Sequence, residues 1–365
     1  MDTPLVDFAP AARLALLALI VALLPLAYVW LRSRKAAPRA RLAALTAVTL
    51  FLTFDLIVFG SFTRLSDSGL GCPDWPGCYG AASPIGAKGD IAAAEQAMPT
   101  GPVTWSKAWI EMIHRYLAMT VGVLILVMTL VSWLERRHLP HSPWWPTATL
   151  VWVIVQGLFG KYTVTLKLYP AIVTLHLLGG LFLLALLAIQ HEAFRDRGLA
   201  IATGLRRLAM AALAVLAVQV AFGGWVSTNY AVLACPDFPR CLGEWIPKAD
   251  FATGFTILRE LGETASGAML TVDALVAIHL VHRWFAVFAC FVLLWAGVAL
   301  LRAAQPALRP YGVALVALTL AQVASGLSNV ILGWPIAAAL VHSAGAAGLV
   351  LTLTLLLART SPSTT

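Results

Sequence analysis

Apolar stretches of about 20 residues alternate with short polar segments along nearly the whole chain. A helix of that length, rising about 1.5 Å per residue, crosses the roughly 30 Å hydrocarbon core of a lipid bilayer. The pattern therefore predicts an all-α protein that crosses a membrane many times. Nine such stretches occur, at 11–31, 42–62, 108–133, 147–166, 170–190, 208–228, 272–301, 311–333 and 335–357.

Composition supports a membrane location and excludes a soluble domain. Of the 365 residues, 60% are hydrophobic and only 12% are charged, whereas soluble domains are about 45–50% apolar. The net charge of +8 arises mostly from Lys and Arg in alternate short connections. These connections are 32–41, 135–146, 191–207, 302–310 and the tail after 357.

The distribution of positive residues also predicts the topology. Positive residues concentrate in cytoplasmic loops, and the two longest loops, 63–107 and 229–271, hold only three each. We therefore predict that both long loops and the N-terminus lie outside. The net positive charge follows from the excess of Lys and Arg in the cytoplasmic loops. We therefore predict contact with a lipid bilayer and no nucleic-acid partner.

A sequence repeat divides the chain into two halves. His114 and His282 lie 168 residues apart, and each is at the start of an apolar stretch. A second histidine follows in each half, at His176 and His342, and these two are 166 residues apart. The predicted fold class is two pseudo-symmetric four-helix bundles plus one extra N-terminal transmembrane helix, whose flanking charges indicate a retained anchor. The segments are the extra helix and basic linker at 1–40, the first half at 41–191, a cytoplasmic linker at 192–207, the second half at 208–358 and a cytoplasmic tail at 359–365.

A pair of cysteines occurs in each long external loop. Cys72 and Cys78 enclose Pro-Asp-Trp-Pro-Gly, and Cys235 and Cys241 enclose Pro-Asp-Phe-Pro-Arg. The prolines restrict φ and favour a turn that brings the sulfurs together, and the outer face of a membrane is oxidising. We therefore predict disulfides Cys72–Cys78 and Cys235–Cys241, either as loop staples or as redox-active pairs. Zinc is disfavoured, because five intervening residues exceed the usual two to four.

Four histidines lie at similar depth in the outer half of the predicted bundles. They are His114, His176, His282 and His342. Ionisable residues inside a bilayer are costly and mark functional sites. Two histidines from different helices suit the two axial positions of a haem iron, and Arg115 and Arg283 are placed to contact the propionates. Zinc or copper is less suitable, because neither pair brings a third strong ligand nearby.

The halves differ one helical turn before the first histidine. Glu111 precedes His114 there, whereas His279 precedes His282. A carboxylate beside only one site indicates a division of labour, with Glu111 as acid/base or charge stabiliser at a reactive haem and the other haem relaying electrons. The alternative is a carboxylate that only pairs with an arginine or faces interfacial water.

These motifs resemble the haem A synthase family, whose members mature haem for cytochrome c oxidase. The resemblance covers nearly everything after residue 41, and its most specific part is GSFTRLSDSGLGCPDWPGCYG at 60–80. Glu111-x-x-His114-Arg115, the other two histidine helices and both cysteine pairs fit the same pattern. The extra N-terminal helix departs from the eight-helix core of that family.

The resemblance implies an oxidoreductase that oxidises the C8 methyl group of haem O to the formyl group of haem A by successive hydroxylations. The implied site residues are His114 and His176 for the iron of the substrate haem, His282 and His342 for the iron of a haem b, and Glu111 with Cys72 and Cys78 in the reactive half. It also implies a bacterial inner membrane, with the N-terminus and cysteine loops in the periplasm. Haem O synthase, cytochrome c oxidase assembly factors and an electron acceptor are the implied partners.

Two functions of other classes stay open from the residues alone. A b-type electron-transfer cytochrome would use the same four histidines but would leave Glu111 and the cysteine pairs unexplained. A quinone-linked thiol oxidoreductase would explain the cysteines but leave the histidines without a role, and reactive cysteines are more often two residues apart. Analysis of the haem product and the reduction potentials of the cysteine pairs would discriminate among the three.

Overall fold

A computed structural model of the chain describes residues 9–139, 141–195 and 198–362, and it confirms the predicted all-α fold. The first eight residues of the N-terminal segment, part of the linker at 192–207 and the last three residues of the tail lie outside the described residues. The described ranges form eleven α-helices. They are α1 (Ala9–Ser33), α2 (Pro38–Leu65), α3 (Lys88–Ala97), α4 (Trp105–Leu134), α5 (Trp144–Thr165), α6 (Pro170–Ala193), α7 (Thr203–Thr228), α8 (Phe251–Gly254), α9 (Val272–Arg302), α10 (Arg309–Ile331) and α11 (Ile336–Arg359).

Eight of the described helices are long and apolar enough to cross a membrane, which confirms a multi-pass membrane protein. The prediction of a ninth span, at 147–166, is confirmed only as a helix, α5. This helix is 22 residues long but is not among the eight, because Gln156, Lys161 and several Trp and Thr residues lower its mean hydropathy. Large apolar side chains such as Leu24, Leu134 and Val287 are exposed on the helix surfaces, as expected where lipid is the solvent.

The chain divides into two compact units, one up to Leu168 and one from Tyr169. In the first unit, α4 packs against α1, α2 and α5. In the second unit, α7, α9, α10 and α11 pack as neighbours, and α6 packs against α7 and α11. Packing thus groups α6 with the second unit, whereas the repeat placed it in the first half, and the halves at 41–191 and 208–358 stay a prediction.

The two helices that carry the first histidine of each half begin in the same way. Thr104 caps α4 by accepting a hydrogen bond from the amide of Lys107 at 3.3 Å. Thr271 caps α9 by accepting one from the amide of Ala274, also at 3.3 Å. A threonine cap satisfies an amide that the helix leaves unpaired. The caps therefore fix where each helix begins and how deep its histidine lies.

A short sheet closes one end of the second unit. Strand β1 (Leu199–Ile201) runs parallel to β2 (Thr360–Pro362), with Leu199 opposite Thr360. The strands join the segment before α7 to the end of α11. Next to them, the core of this unit contains buried Leu300, Leu308 and Leu353.

Candidate functional site

The first cysteine loop (residues 72–81) is closed by a disulfide and by a carboxylate. The Sγ atoms of Cys72 and Cys78 are 2.06 Å apart, and both residues are fully buried. Asp74 accepts hydrogen bonds from the amides of Tyr79 at 2.6 Å and Gly80 at 2.7 Å. A carboxylate that accepts from its own loop stabilises a turn, so the sequence between the cysteines defines a compact unit.

The second cysteine loop (residues 235–244) repeats this geometry. The Sγ atoms of Cys235 and Cys241 are 1.98 Å apart. Asp237 accepts from the amides of Leu242 at 2.7 Å and Gly243 at 2.9 Å, and these amide donors hold the pKa of the Asp237 carboxyl below its ordinary value. The X-Pro bond before the second proline is cis in both loops. The repeat therefore extends to individual hydrogen bonds.

An arginine on α4 holds the first cysteine loop against the helix. Nη1 of Arg115 donates to the carbonyls of Asp74 at 2.9 Å, Pro76 at 3.2 Å and Gly77. Nη2 of Arg115 pairs with Oε1 of Glu111. The guanidinium is largely buried, and its contact with a haem propionate stays a prediction.

Glu111 is the residue on which the loop and the arginine converge. It is 3% exposed, and its Oε2 accepts a hydrogen bond from the amide of Cys72 at 2.8 Å. The carboxylate therefore has a cationic partner and a backbone donor, which is what a buried charge requires. The structure shows the arginine pairing that the sequence left open, and a catalytic role for Glu111 stays a prediction.

An arginine on α9 holds the second cysteine loop in the same way. Arg283 donates to the carbonyls of Asp237 at 2.9 Å and Arg240 at 3.0 Å through Nη1, and to that of Cys235 at 2.7 Å through Nη2. Its Nε donates to Nε2 of His279 at 3.2 Å. A neutral imidazole thus occupies the place that Glu111 has in the first unit. As with Arg115, a propionate contact of Arg283 stays a prediction.

His114 packs against the helix that precedes the first cysteine loop. Its ring lies parallel to that of Phe59, with 6.4 Å between centroids. It also faces Gly60, where an added Cβ would lie 2.8 Å from the imidazole Nε2. Any larger residue at this position would displace the imidazole ring, so Gly60 leaves the space on α2 that the ring occupies.

His176 lies on α6, and its Nδ1 is buried without a hydrogen-bond partner among the described residues. An unpaired buried nitrogen is costly. Because His114 belongs to the first compact unit and His176 to the second, their joint binding of one haem stays a prediction.

His282 and His342 lie on α9 and α11 of the second unit, two helices that both pack against α7 and α10. His282 on α9 receives a hydrogen bond from Gln219 of α7, with 3.1 Å between Nε2 and the imidazole Nδ1. Nδ1 of His342 on α11 lies 3.0 Å from the hydroxyl of Ser325 on α10. Both rings are therefore contacted by a polar side chain at Nδ1, and each Nε2 lies on the other side of its ring.

Two glycines leave space for the rings of His282 and His342, as Gly60 does for the ring of His114. An added Cβ at Gly223 would lie 3.1 Å from Cε1 of His282, and one at Gly326 would lie 3.3 Å from Cε1 of His342. The rings of Phe222 and Phe285 pack beside this region with centroids 5.3 Å apart. Anchored imidazoles, glycine gaps and an aromatic wall fit the two axial ligands and apolar surroundings that a haem requires.

Comparisons with known proteins assign the chain to a family. The family model described as cytochrome oxidase assembly protein (COX15-CtaA) matches residues 43–354. The chain belongs to this family. The predicted family resemblance is therefore confirmed.

Relatives of this COX15-CtaA family protein include three heme A synthases. That of Shewanella oneidensis is 37% identical over 318 residues, which covers 86% of this chain and 94% of the relative. That of Rhizorhabdus wittichii is 27% identical over 341 residues, covering 86% and 92%. That of Halalkalibacterium halodurans is 24% identical over 295 residues, covering 79% and 86%.

Several residues that position the site of this COX15-CtaA protein were not found from its sequence. Gln219, Ser325 and Gln322 were missed, although Gln322 donates to the carbonyl of His342 at 2.9 Å. A signal for them exists. Gln219 and Gln322 each lie four residues before a glycine that faces a histidine, and Gln156 precedes Gly160 by the same spacing. Searching for polar residues around the repeated glycines would have found the two amides.

Proposed function

We propose that this protein is a haem A synthase that oxidises the C8 methyl group of haem O to the formyl group of haem A by successive hydroxylations. Relatives that match most of the chain carry that name. The observation that carries the proposal is that His282 and His342, on two helices that both pack against α7 and α10, are each contacted by a polar side chain at Nδ1. Such a pair in a membrane protein supports the ligation of a haem b.

Each histidine pair takes a different haem in this proposal. His282 and His342 ligate haem b, which when bound supplies one-electron transfer between the reactive half and an electron acceptor. His114 and His176 bind the iron of haem O, the substrate, and Gly60 gives the ring of His114 its place.

Glu111 is the proposed catalytic residue because it lies one helical turn before His114 on α4. A carboxylate at that distance stabilises positive charge at an oxidised carbon or accepts a proton from an attacking water. Its pairing with Arg115 and the amide of Cys72 gives the buried carboxylate a cationic partner and a backbone donor. The pairing also couples the first cysteine loop to the carboxylate.

The cysteine loops are proposed to lie in the periplasm of a bacterial inner membrane, with the N-terminus on the same side. Burial of all four sulfurs supports loop staples rather than the exchange chemistry of a thiol oxidoreductase, which needs an accessible thiolate. Protein made in cells should resist a thiol alkylating reagent at these four cysteines until it is reduced. Alkylation of all four without reductant would contradict this placement.

The experiment that tests the proposed function is haem extraction from cells with and without the protein. Mass spectrometry should find haem A only where the protein is present, and haem O accumulating where it is absent. Unchanged haem A in its absence would contradict the proposal. Haem O synthase and assembly factors of cytochrome c oxidase are the proposed partners for supply and delivery.

One observation favours a second function, a b-type electron-transfer cytochrome. The carboxylate of Glu111 is engaged by Arg115 and Cys72, which is what a purely structural residue would show. The same extraction distinguishes the two functions, because a cytochrome would contain haem b and leave haem O unchanged.

A further inference from the structure

The second cysteine loop packs beside α9 rather than beyond its end. Val276 and Leu280 of α9 pack against the disulfide of this loop, and Arg283 binds three of its carbonyls at 2.7–3.0 Å. Arg302, the last residue of α9, lies 19 residues after Arg283, which is about 29 Å along a helix. The hydrocarbon core of a bilayer is about 30 Å thick. With Arg302 at one face of this core, the loop lies at the opposite face.

The loop exposes a patch of large apolar side chains at this level. Trp245 is 65% exposed and Ile246 is 80% exposed. The disulfide and the two hydrogen bonds to Asp237 fix the backbone around them, so the exposure belongs to a rigid loop. Exposed apolar side chains that are grouped in this way mark an interaction site. The apolar patch consists of Phe238, Leu242, Trp245 and Ile246.

The first cysteine loop has small residues at the corresponding positions. Ala82 and Ser83, 163 residues earlier, occupy the places of the last two patch residues, and both are half-buried. The hydroxyl of Tyr116 on α4 donates to the carbonyl of Ala82 at 2.7 Å. The disulfide loop thus forms with two small residues at these positions, and its folding alone does not explain Trp245 and Ile246.

A cation lies beside the apolar patch. The guanidinium carbon of Arg240 is 5.6 Å from the centre of the Trp245 ring, and Arg240 is exposed and forms no ion pair with a described residue. Glu244 is exposed in the same loop but does not pair with it. Tryptophan is enriched where a membrane meets water, and arginine binds phosphate oxygens through parallel hydrogen bonds. The two side chains together match the apolar chains and the phosphates of phospholipids.

We propose that the apolar patch is a membrane anchor that inserts into the interfacial layer of the bilayer, with Arg240 contacting lipid phosphates. The level of the loop beside α9 favours lipid as the occupant over a protein in the aqueous phase. The anchor ties the second cysteine loop, and the Arg283 clamp that holds it, to the membrane surface. Such an anchor would act whichever reaction the protein catalyses.

The test measures the surroundings of a nitroxide spin label at position 246 of the full-length protein in phospholipid bilayers. Ile246→Cys is combined with Cys290→Ser, which removes the free thiol, and the disulfides are kept oxidised. Oxygen, which concentrates in lipid, should relax the label more than a water-soluble nickel chelate does. The control is a label at Ser266→Cys, in an exposed turn before α9 begins, where the oxygen-to-nickel relaxation ratio should be several-fold lower.

Two substitutions in the labelled protein test the cation. Arg240→Gln should lower the oxygen-to-nickel ratio at position 246, because the phosphate contact is lost, whereas Glu244→Gln should not lower it. An unchanged ratio in Arg240→Gln would overturn the phosphate contact. A label at position 246 that is relaxed mainly by the nickel chelate would overturn the anchor. A label reached by neither agent would mean that protein covers the patch, and that result would also overturn the anchor.

Discussion

The two cysteine loops share their disulfide, their internal aspartate bonds and their arginine clamp, but they differ in the side chain beneath the arginine. Glu111 lies there in the first unit and His279 in the second. Since the second loop has the same geometry without a carboxylate, the loop does not require one. Burying a charge gives little net stability over neutral groups. A catalytic role would explain the carboxylate in the first unit, and that role stays a prediction.

The two arginines have the same structural role, although their partners Glu111 and His279 differ. Arg115 and Arg283 both donate to three loop carbonyls, so each holds its loop whichever residue lies beneath it. Changes to the arginines should therefore affect folding, whereas changes to Glu111 and His279 should affect the two haems differently.

Removal of an axial ligand should have the largest effect, on the second unit. His282→Ala, or His342→Ala, should abolish the sharp reduced α-band of a low-spin haem b, because one ligand is lost and the remaining imidazole binds weakly. Reduced-minus-oxidised spectra of the purified protein measure it. The exposed His138 provides the control, and His138→Ala should keep the wild-type spectrum. A complete spectrum in both site variants would exclude these ligands.

Removal of the arginines should destabilise the first unit more than the second. Arg115→Met leaves the buried carboxylate of Glu111 without its cation, which costs about 3–5 kcal/mol. Arg283→Met leaves only a neutral imidazole, so the loss should be smaller. Thermal unfolding in detergent, compared with wild type, gives both values. An equal loss for the two variants would show that the carboxylate adds nothing to the clamp.

A methyl group added at Gly60, which faces His114, should lower the turnover of haem O. Gly60→Ala places a Cβ 2.8 Å from the imidazole Nε2, so the ring must move, and we expect haem O turnover to fall by about 10-fold or more, as for a displaced ligand. Gly122→Ala is the control, because a Cβ there meets open space. Product formation by isolated membranes measures the effect, and equal rates for both variants would contradict it.

The smallest effect concerns pH and the second cysteine loop. Amide donors lower the pKa of Asp237 in the folded protein, so its stabilising contribution is present above the unfolded value of about 3.9 and is lost as pH falls through the lower folded value. The difference in unfolding temperature between wild type and Asp237→Asn should therefore shrink below about pH 4. Glu244→Gln, at an exposed position in the same loop, serves as control and should show no such change. A difference that is constant with pH would contradict the role of the carboxylate.

The sequence predicted the helices because bilayer thickness and apolar length are directly related. α4 and α9 begin within about three residues of the predicted positions, and threonine caps explain where. The span predicted at α5 is confirmed only as a helix, because Gln156 and Lys161 interrupt an otherwise apolar run. The grouping of α6 with the second unit was not predictable, since it depends on which helix faces pack rather than on repeat spacing.

The sequence predicted candidate ligands, which stay predictions, but it did not predict the residues that contact them. Charged and imidazole side chains in apolar runs are visible in a sequence because they are costly there. The role of Arg115 depends on hydrogen bonds to loop carbonyls, and these bonds leave no residue pattern of their own. Predicting them requires the two partners to be placed in space.

The most direct test compares Glu111→Gln with His279→Gln in cells that lack the native protein. Glutamine is nearly isosteric with glutamate and still forms hydrogen bonds, so the Glu111→Gln protein should fold and bind haem b, while its haem A production falls by roughly 10²- to 10⁴-fold as for a lost acid/base group. Haem O or a hydroxylated intermediate should accumulate. His279→Gln should instead change the potential or occupancy of haem b first. Wild-type haem A from folded Glu111→Gln would contradict the division of labour between the two units.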